Sequence, residues 1–253
     1  MKNFYIKIIV LVTYLGMVTV NALANILPIN GISTGEISDN YANLFAPAGI
    51  TFSIWGIIYL LLGAYVLYQL NFFGKVRYKK IDKINVYFIL TSLANILWIL
   101  AWHYDYILLS LVLMIVILYY LIKIASVLNK EKFSNKEYFF ILLPFSIYFG
   151  WITVATIANV TVFLVSINWD GFGISDQIWT IIVILIGTLI GLLRMFYDKN
   201  IAYGLVFLWA YFGIWLKHTT FFSSMYQGII ITVLSCMFLF LVSIFYLIYE
   251  KYY

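Results

Sequence analysis

Aromatic and amide side chains recur at helical spacing in three apolar stretches of this sequence. They are Trp55 and Tyr59, then Asn95 and Trp98, then Trp151, Ala155 and Asn159. Residues three or four positions apart share one face of a helix, so each group presents a single face. Rings with a few amides suit a flat, largely apolar ligand that is anchored at its polar edge. The same residues also suit interhelical contacts and interface tryptophans, and spacing alone leaves both interpretations open.

Recognisable catalytic patterns are missing from the sequence. It has no Ser/His/Asp or Cys/His constellation, no phosphate-binding glycine loop and no HExxH motif. The middle of every apolar stretch lacks Asp, Glu, Lys and Arg, which disfavours ion-coupled transport and ordinary hydrolysis. His103 and His218 lie near stretch ends, where we expect them to anchor helices, and the single Cys236 excludes an intrachain disulfide. No metal or required cofactor is expected.

The composition places these residues in lipid. Of 253 residues, 65% are hydrophobic and 10% are charged, and the mean hydropathy is +1.02, whereas about 25% of a soluble domain is charged. Eight apolar stretches occur, at residues 4–26, 48–71, 84–102, 106–127, 138–167, 177–196, 201–217 and 225–249. Most reach the length of about 20 residues that crosses a bilayer, and none alternates as barrel strands do. The sequence predicts an all-α, polytopic membrane bundle of about eight transmembrane helices.

The distribution of Lys and Arg predicts the orientation of this bundle in the membrane. Lys217 is the only one of the 15 Lys and Arg residues near an odd-numbered connection, so the other 14 share one side. By the positive-inside rule that side is cytoplasmic, which places both termini inside. The net charge of +5 is therefore a topology signal, and no nucleic-acid partner is expected. Residues 1–24 also resemble a secretory signal peptide, but retention as a first span agrees with the sorted charges.

The longest connection, Leu27–Ala46, is predicted to be exterior. Its Asn, Gly and Ser content and the residues Pro28, Gly31 and Gly35 suit turns. Connections of this length without regular structure are often lids or binding loops. A plain connector is the alternative.

Three motifs follow one another along the chain. They are Pro47 eight residues before Trp55-Gly-x-x-Tyr59, Thr91-x-x-x-Asn95-x-x-Trp98, and Trp151-x-x-x-Ala155-x-x-x-Asn159. Together they resemble the second, third and fifth helices of the TspO/MBR family, the tryptophan-rich sensory or translocator proteins. Thr91 stands where that family usually has Gln, and Pro144 lies farther from Trp151 than the family's proline does.

The resemblance implies a five-helix core at residues 1–167 with the exterior loop 27–46, followed by three additional helices at 168–253. It implies that the core binds porphyrins, sterols or related flat hydrophobic molecules beneath that loop. A tetrapyrrole would then be a ligand. The ligand-binding residues that it implies are Trp55, Tyr59, Asn95, Trp98, Trp151, Ala155 and Asn159.

Three functions follow as hypotheses. The first is a membrane receptor or binding protein for a small hydrophobic ligand, and the second is a transporter of a small amphiphile. The third is a porphyrin-modifying enzyme that uses tryptophan in redox chemistry. The expected location is the plasma membrane of a prokaryotic cell, with the lipid bilayer as a partner. Gly187 and Gly191 form a GxxxG pair that packs helices closely, either within the chain or across a homodimer.

Overall fold

The chain folds as a bundle of helices in a computed structural model that describes residues 2–27, 29–74, 78–129 and 131–252. In chain order the helices are α1 (Lys2–Ile26), α2 (Thr34–Asn40), α3 (Ile54–Gln69), α4 (Ile81–His103), α5 (Ile107–Leu128), α6 (Asn135–Glu137), α7 (Leu143–Ser166), α8 (Asp176–Asp198), α9 (Ile201–Thr220) and α10 (Gln227–Tyr252). No strand occurs in these ranges, and the all-α prediction is confirmed. Lys75, Arg77 and Lys130, which belong to the basic connections predicted to be cytoplasmic, lie outside the described residues, as does Pro28, which is predicted to lie in a turn.

Seven helical segments in the described part of the chain are long and apolar enough to cross a membrane. This confirms a polytopic membrane bundle. The stretch predicted at 201–217 forms α9, whose Tyr, Trp and Gly residues lower its hydropathy and which packs mainly on α7 and α10. At its start Asn200 donates to Ser146 at 2.6 Å, and near its end Lys217 donates to Asp39 at 2.7 Å. Because these contacts lie at opposite ends of the bundle, α9 extends from one end to the other.

Polar contacts between connections fall at the two ends of the bundle. At one end Lys80 pairs with Glu131 and Lys199 pairs with Glu250. At the other end the Tyr41 hydroxyl donates to Asp105 at 2.5 Å. The basic connections therefore meet at one end and the acidic ones at the other. Which end faces the cytoplasm stays a prediction of the positive-inside rule.

The entry to α7 accommodates a proline. A capping box between Ser134 and Glu137 begins α6, and a π turn at Tyr138–Leu142 leads from α6 into α7. Pro144 lies in the first turn of α7. Proline lacks an N–H and crowds the carbonyl four residues earlier, so a wider turn at this point lets the helix continue. The helix then carries Trp151 into the bundle.

Buried apolar side chains form one cluster that extends from Val10 in α1 to Leu247 in α10. The residues before and after position 167 share this core. A Cβ atom on Gly191 of α8 would lie 2.8 Å from the ring of Phe207 in α9 and 2.7 Å from that of Phe240 in α10. The GxxxG pair of α8 therefore has a packing role within the chain.

Candidate ligand-binding cavity

Trp55 in α3 lies at the centre of an aromatic cluster. Its ring centroid is 6.0 Å from that of Trp98 in α4 and 6.2 Å from that of Trp151 in α7. It stacks on Tyr59 at 5.4 Å, and Phe52 meets Trp151 edge-on at 6.0 Å. Aromatic pairs in these geometries contribute about 0.5–1.5 kcal/mol beyond area burial. Rings from three helices therefore hold this part of the core in a defined arrangement.

A narrow cavity of about 40 Å³ lies against the cluster, beneath the exterior loop. Its lining consists of Thr34, Ser38, Pro47, Phe52, Trp55, Trp98, Trp102, Trp151, Val154, Ala155, Ala158, Asn159 and Val162. Five of the residues predicted to bind ligand belong to this lining, namely Trp55, Trp98, Trp151, Ala155 and Asn159. A cavity of this size has room for one or a few water molecules. A larger molecule enters only if the walls separate.

The other two predicted residues, Tyr59 and Asn95, lie outside the lining. The buried hydroxyl of Tyr59 has no hydrogen-bond partner among the described residues. Asn95 accepts from Asn21 of α1 at 2.7 Å and donates to Tyr148 of α7 at 3.5 Å. An unpaired amide is costly in a bilayer, and these bonds satisfy it while linking three helices. The geometry of Asn95 is that of an interhelical contact.

Asn159 lines the cavity but already has hydrogen-bond partners. Its Oδ1 accepts from the Ser110 hydroxyl at 3.0 Å and from Trp98 Nε1 at 3.3 Å. Its Nδ2 donates to the Ala155 carbonyl at 2.9 Å. The amide therefore ties α4, α5 and α7 together. It would contact a ligand only by exchanging one of these partners.

The cavity wall contains a buried polar atom without a partner, Nε1 of Trp151. The side chain is 3% exposed, and Nε1 has no hydrogen-bond partner in the described structure. A buried donor without a partner costs about 1–3 kcal/mol. An acceptor atom of a bound molecule would remove this cost, so Trp151 is the strongest polar anchor that the cavity offers.

The roof of the cavity is α2, which is fixed to the end of α4. The Thr34 carbonyl accepts from Trp102 Nε1 at 3.1 Å, and the Thr34 hydroxyl lies 3.1 Å from His103 Nε2. His103 Nδ1 lies 2.9 Å from the Ile29 carbonyl oxygen. His103, predicted to anchor a helix end, thus joins the exterior loop to α4.

A capping box gives the roof its helical form. The Ser33 backbone N–H donates to the Glu36 carboxylate at 2.6 Å, and the Glu36 N–H donates to the Ser33 hydroxyl at 3.4 Å. Hydrogen bonds from the backbone and side chain of Ser33 lower the pKa of the Glu36 carboxyl. The stretch Leu27–Ala46 therefore contains a capped helix, a feature that its turn-rich composition did not reveal.

The chain that leads from the roof into α3 is attached to α9. Trp209 Nε1 donates to the Thr51 carbonyl at 2.8 Å. His218 Nε2 lies 2.9 Å from the Leu44 carbonyl oxygen. Helix α9 therefore holds both the exterior loop and the segment that leads into α3.

Gly213 allows α9 to approach the segment that leads into α3 closely. The Ala48 N–H donates to the Gly213 carbonyl at 3.0 Å. A Cβ atom on Gly213 would lie 2.0 Å from Thr51 Oγ1. A larger residue would thus push α9 away from the cavity's entrance.

Sequence reasoning missed several lining residues, among them Trp102 and Phe52. Trp102 lies four positions after Trp98 on α4 and stacks on it at 6.0 Å, so helical spacing was a usable signal. Phe52 lies in a short 3-10 helix, Gly49–Ser53, where neither the helical nor the strand period applies.

Fold and cavity together define a polytopic α-helical membrane protein with an aromatic cavity under a helical roof. Among the residues that the structure describes, no three His, Cys, Asp or Glu side chains come together. A family model described as TSPO-like protein matches residues 7–246, and the chain therefore belongs to the TSPO-like family. The match continues past residue 167 through α8, α9 and most of α10. Comparisons with curated proteins and with solved structures gave no match.

Proposed function

We propose that this protein is a membrane receptor or binding protein for a flat hydrophobic molecule, either a tetrapyrrole such as protoporphyrin or a sterol-like compound. The ligand lies beneath α2, between the faces of Trp55, Trp98 and Trp151. Stacking on these rings supplies the apolar contact, and Nε1 of Trp151 donates to an acceptor at the ligand's edge.

One observation carries this proposal, namely aromatic rings from α3, α4 and α7 around a cavity whose wall contains a buried, unpaired donor, Trp151 Nε1. Membership of the TSPO-like family supports it independently. Ligand pockets are typically apolar, with a few well-placed polar groups, and this cavity has that composition.

Binding requires the cavity to open. Its volume of about 40 Å³ is well below the roughly 300–1,000 Å³ of typical ligand sites. The roof residues Thr34 and Ser38 must therefore move away from the Trp151 wall. Because part of the binding energy is used in opening, the measured affinity is weaker than the contacts alone would give.

Tryptophan fluorescence titrated with protoporphyrin tests the proposal. We expect saturable quenching, and we expect Trp151→Phe to raise the dissociation constant about two- to twelvefold, since a hydrogen bond is worth about 0.5–1.5 kcal/mol. Trp151→Phe keeps an aromatic ring, so the change reports mainly on the donor. Trp215→Phe is the matched control, because Trp215 in α9 does not line the cavity. Absence of saturable quenching, or equal affinities of the wild type and Trp151→Phe, would refute the proposal.

A further inference from the structure

A second cavity, of about 180 Å³, lies between the exterior loop and the beginning of α8. Its lining includes Trp169 and Gly171 of the connection between α7 and α8, and Asp176 and Trp179 of α8. It shares Ala42, Asn43, Leu44 and Asp176 with an open cleft of about 710 Å³ at the same end of the bundle. Helix α8 supplies part of the lining, and the cavity lies at the same end of the bundle as that cleft.

Two tryptophans form a rigid aromatic corner in this cavity. The ring centroids of Trp169 and Trp179 lie 5.0 Å apart with an interplanar angle of 57°. Trp179 Nε1 donates to the Gly171 carbonyl at 2.7 Å. Gly171 has a φ of +64°, and a Cβ atom there would lie 3.0 Å from Trp179 Nε1, so glycine is needed for both the turn and the contact. The rings are thus positioned before any ligand arrives.

The carboxylate of this cavity is the one exterior acid without a side-chain or backbone partner in the described residues. Asp39 pairs with Lys217, and Asp105 accepts from Tyr41. Glu36 and Asp170 accept from backbone N–H groups of their own turns. Asp176 has no such bond, although its position in the first turn of α8 lets it interact with the helix dipole.

From these contacts we infer that the cavity binds a small organic cation of the alkylammonium class. Aromatic faces attract such a cation through their quadrupoles, and Asp176 supplies the opposite charge. The side-chain charges at the end of the bundle that holds this cavity favour a cation over an anion. Lys217 is the basic residue lining the outer cleft, and Asp39 already neutralises it. The two tryptophans at a membrane interface alone would be ordinary anchors; the cavity between them and the unpaired carboxylate distinguish this site.

Calorimetric titration of the full chain in a lipid-free, nonionic detergent tests the inference, with choline as the probe. We expect saturable binding of choline. We expect no binding of its uncharged analogue, in which a carbon atom replaces the ammonium nitrogen. Asp176 is exposed, so Asp176→Asn should weaken binding about two- to fivefold, the range given by one exposed ion pair. Asp105→Asn is the matched control, because it removes the same charge at the same end without touching the cavity, and its affinity should equal that of the wild type.

A second arm identifies the source of the cation. Displacement of choline by a short-chain phosphatidylcholine would assign the site to a lipid headgroup, and lack of displacement would assign it to a soluble cation; both results support the site. No saturable heat with choline, equal binding of the neutral analogue, or unchanged affinity in Asp176→Asn would overturn it. Protoporphyrin takes no part in these titrations, so their failure would leave the proposed function untouched.

Discussion

Trp209 of α9 donates its indole N–H to the Thr51 carbonyl at 2.8 Å, across a separation of 158 positions in the chain. Thr51 lies in the short helix Gly49–Ser53 that leads into α3, four residues before Trp55. Helix α9 is therefore attached to the segment that positions the central tryptophan of the cavity. We interpret α9 as a brace that holds the roof closed.

Removing the brace should loosen the exterior loop. Trp209→Phe loses the bond to Thr51 but keeps a ring, and we expect a loss of about 1 kcal/mol in the local opening free energy. Hydrogen exchange of residues 44–55, followed by mass spectrometry, should accelerate about fivefold. Trp215→Phe, on the same helix, should leave this exchange unchanged. Equal exchange rates in the wild type and Trp209→Phe would show that α9 is no brace.

The Asn95 amide should matter for stability more than for ligand affinity. Asn95→Ala breaks the contacts with Asn21 and Tyr148, and we expect it to lower the free energy of unfolding by about 1–2 kcal/mol. Since Asn95 lies outside the cavity lining, the protoporphyrin dissociation constant should change less than about twofold. Thermal denaturation and fluorescence titration measure the two effects. A large loss of affinity with unchanged stability would indicate instead that Asn95 binds the ligand.

Sequence reasoning predicted the helices within a few residues, because span length and charge position follow from bilayer thickness and the positive-inside rule. The family resemblance, which rests on the order of the three motifs, also predicted that Trp55, Trp98 and Trp151 meet, a point that helical spacing alone left open. It could not tell that Asn95 binds Asn21 or that Trp209 reaches Thr51. Such contacts join distant segments, and nothing in the local pattern of either segment encodes its partner.

The capping box of the roof should respond to acid. The pKa of Glu36 is lowered from 4.5 by hydrogen bonds from Ser33. A carboxyl whose pKa is lower in the folded state stabilises that state above its unfolded pKa, and this contribution is lost as pH falls through the folded value. The thermal stability of the wild type should therefore exceed that of Glu36→Gln near neutral pH and converge with it below pH 4.5. A difference that does not vary with pH would contradict the assignment.

Net movement of ligand separates a receptor from a transporter. We expect liposomes that contain the protein to bind protoporphyrin without accelerated transfer to their interior, since the described spans carry no ionisable group at their centres that would couple transport to an ion gradient. A porphyrin-quenched dye inside the liposomes measures transfer, and protein-free liposomes are the control. Protein-dependent transfer would favour the transporter hypothesis instead.

The most direct test of the central claim is to fill the cavity. Ala155 lines it, so Ala155→Leu places three further carbons where the ligand should lie. Gly56→Leu on α3 is the matched control, because a Cβ there meets nothing within 4 Å. In equilibrium titrations with protoporphyrin we predict at least a roughly tenfold loss of affinity for Ala155→Leu and wild-type affinity for Gly56→Leu, both proteins remaining folded by thermal denaturation. Wild-type affinity in a folded Ala155→Leu protein would contradict a ligand site beneath α2.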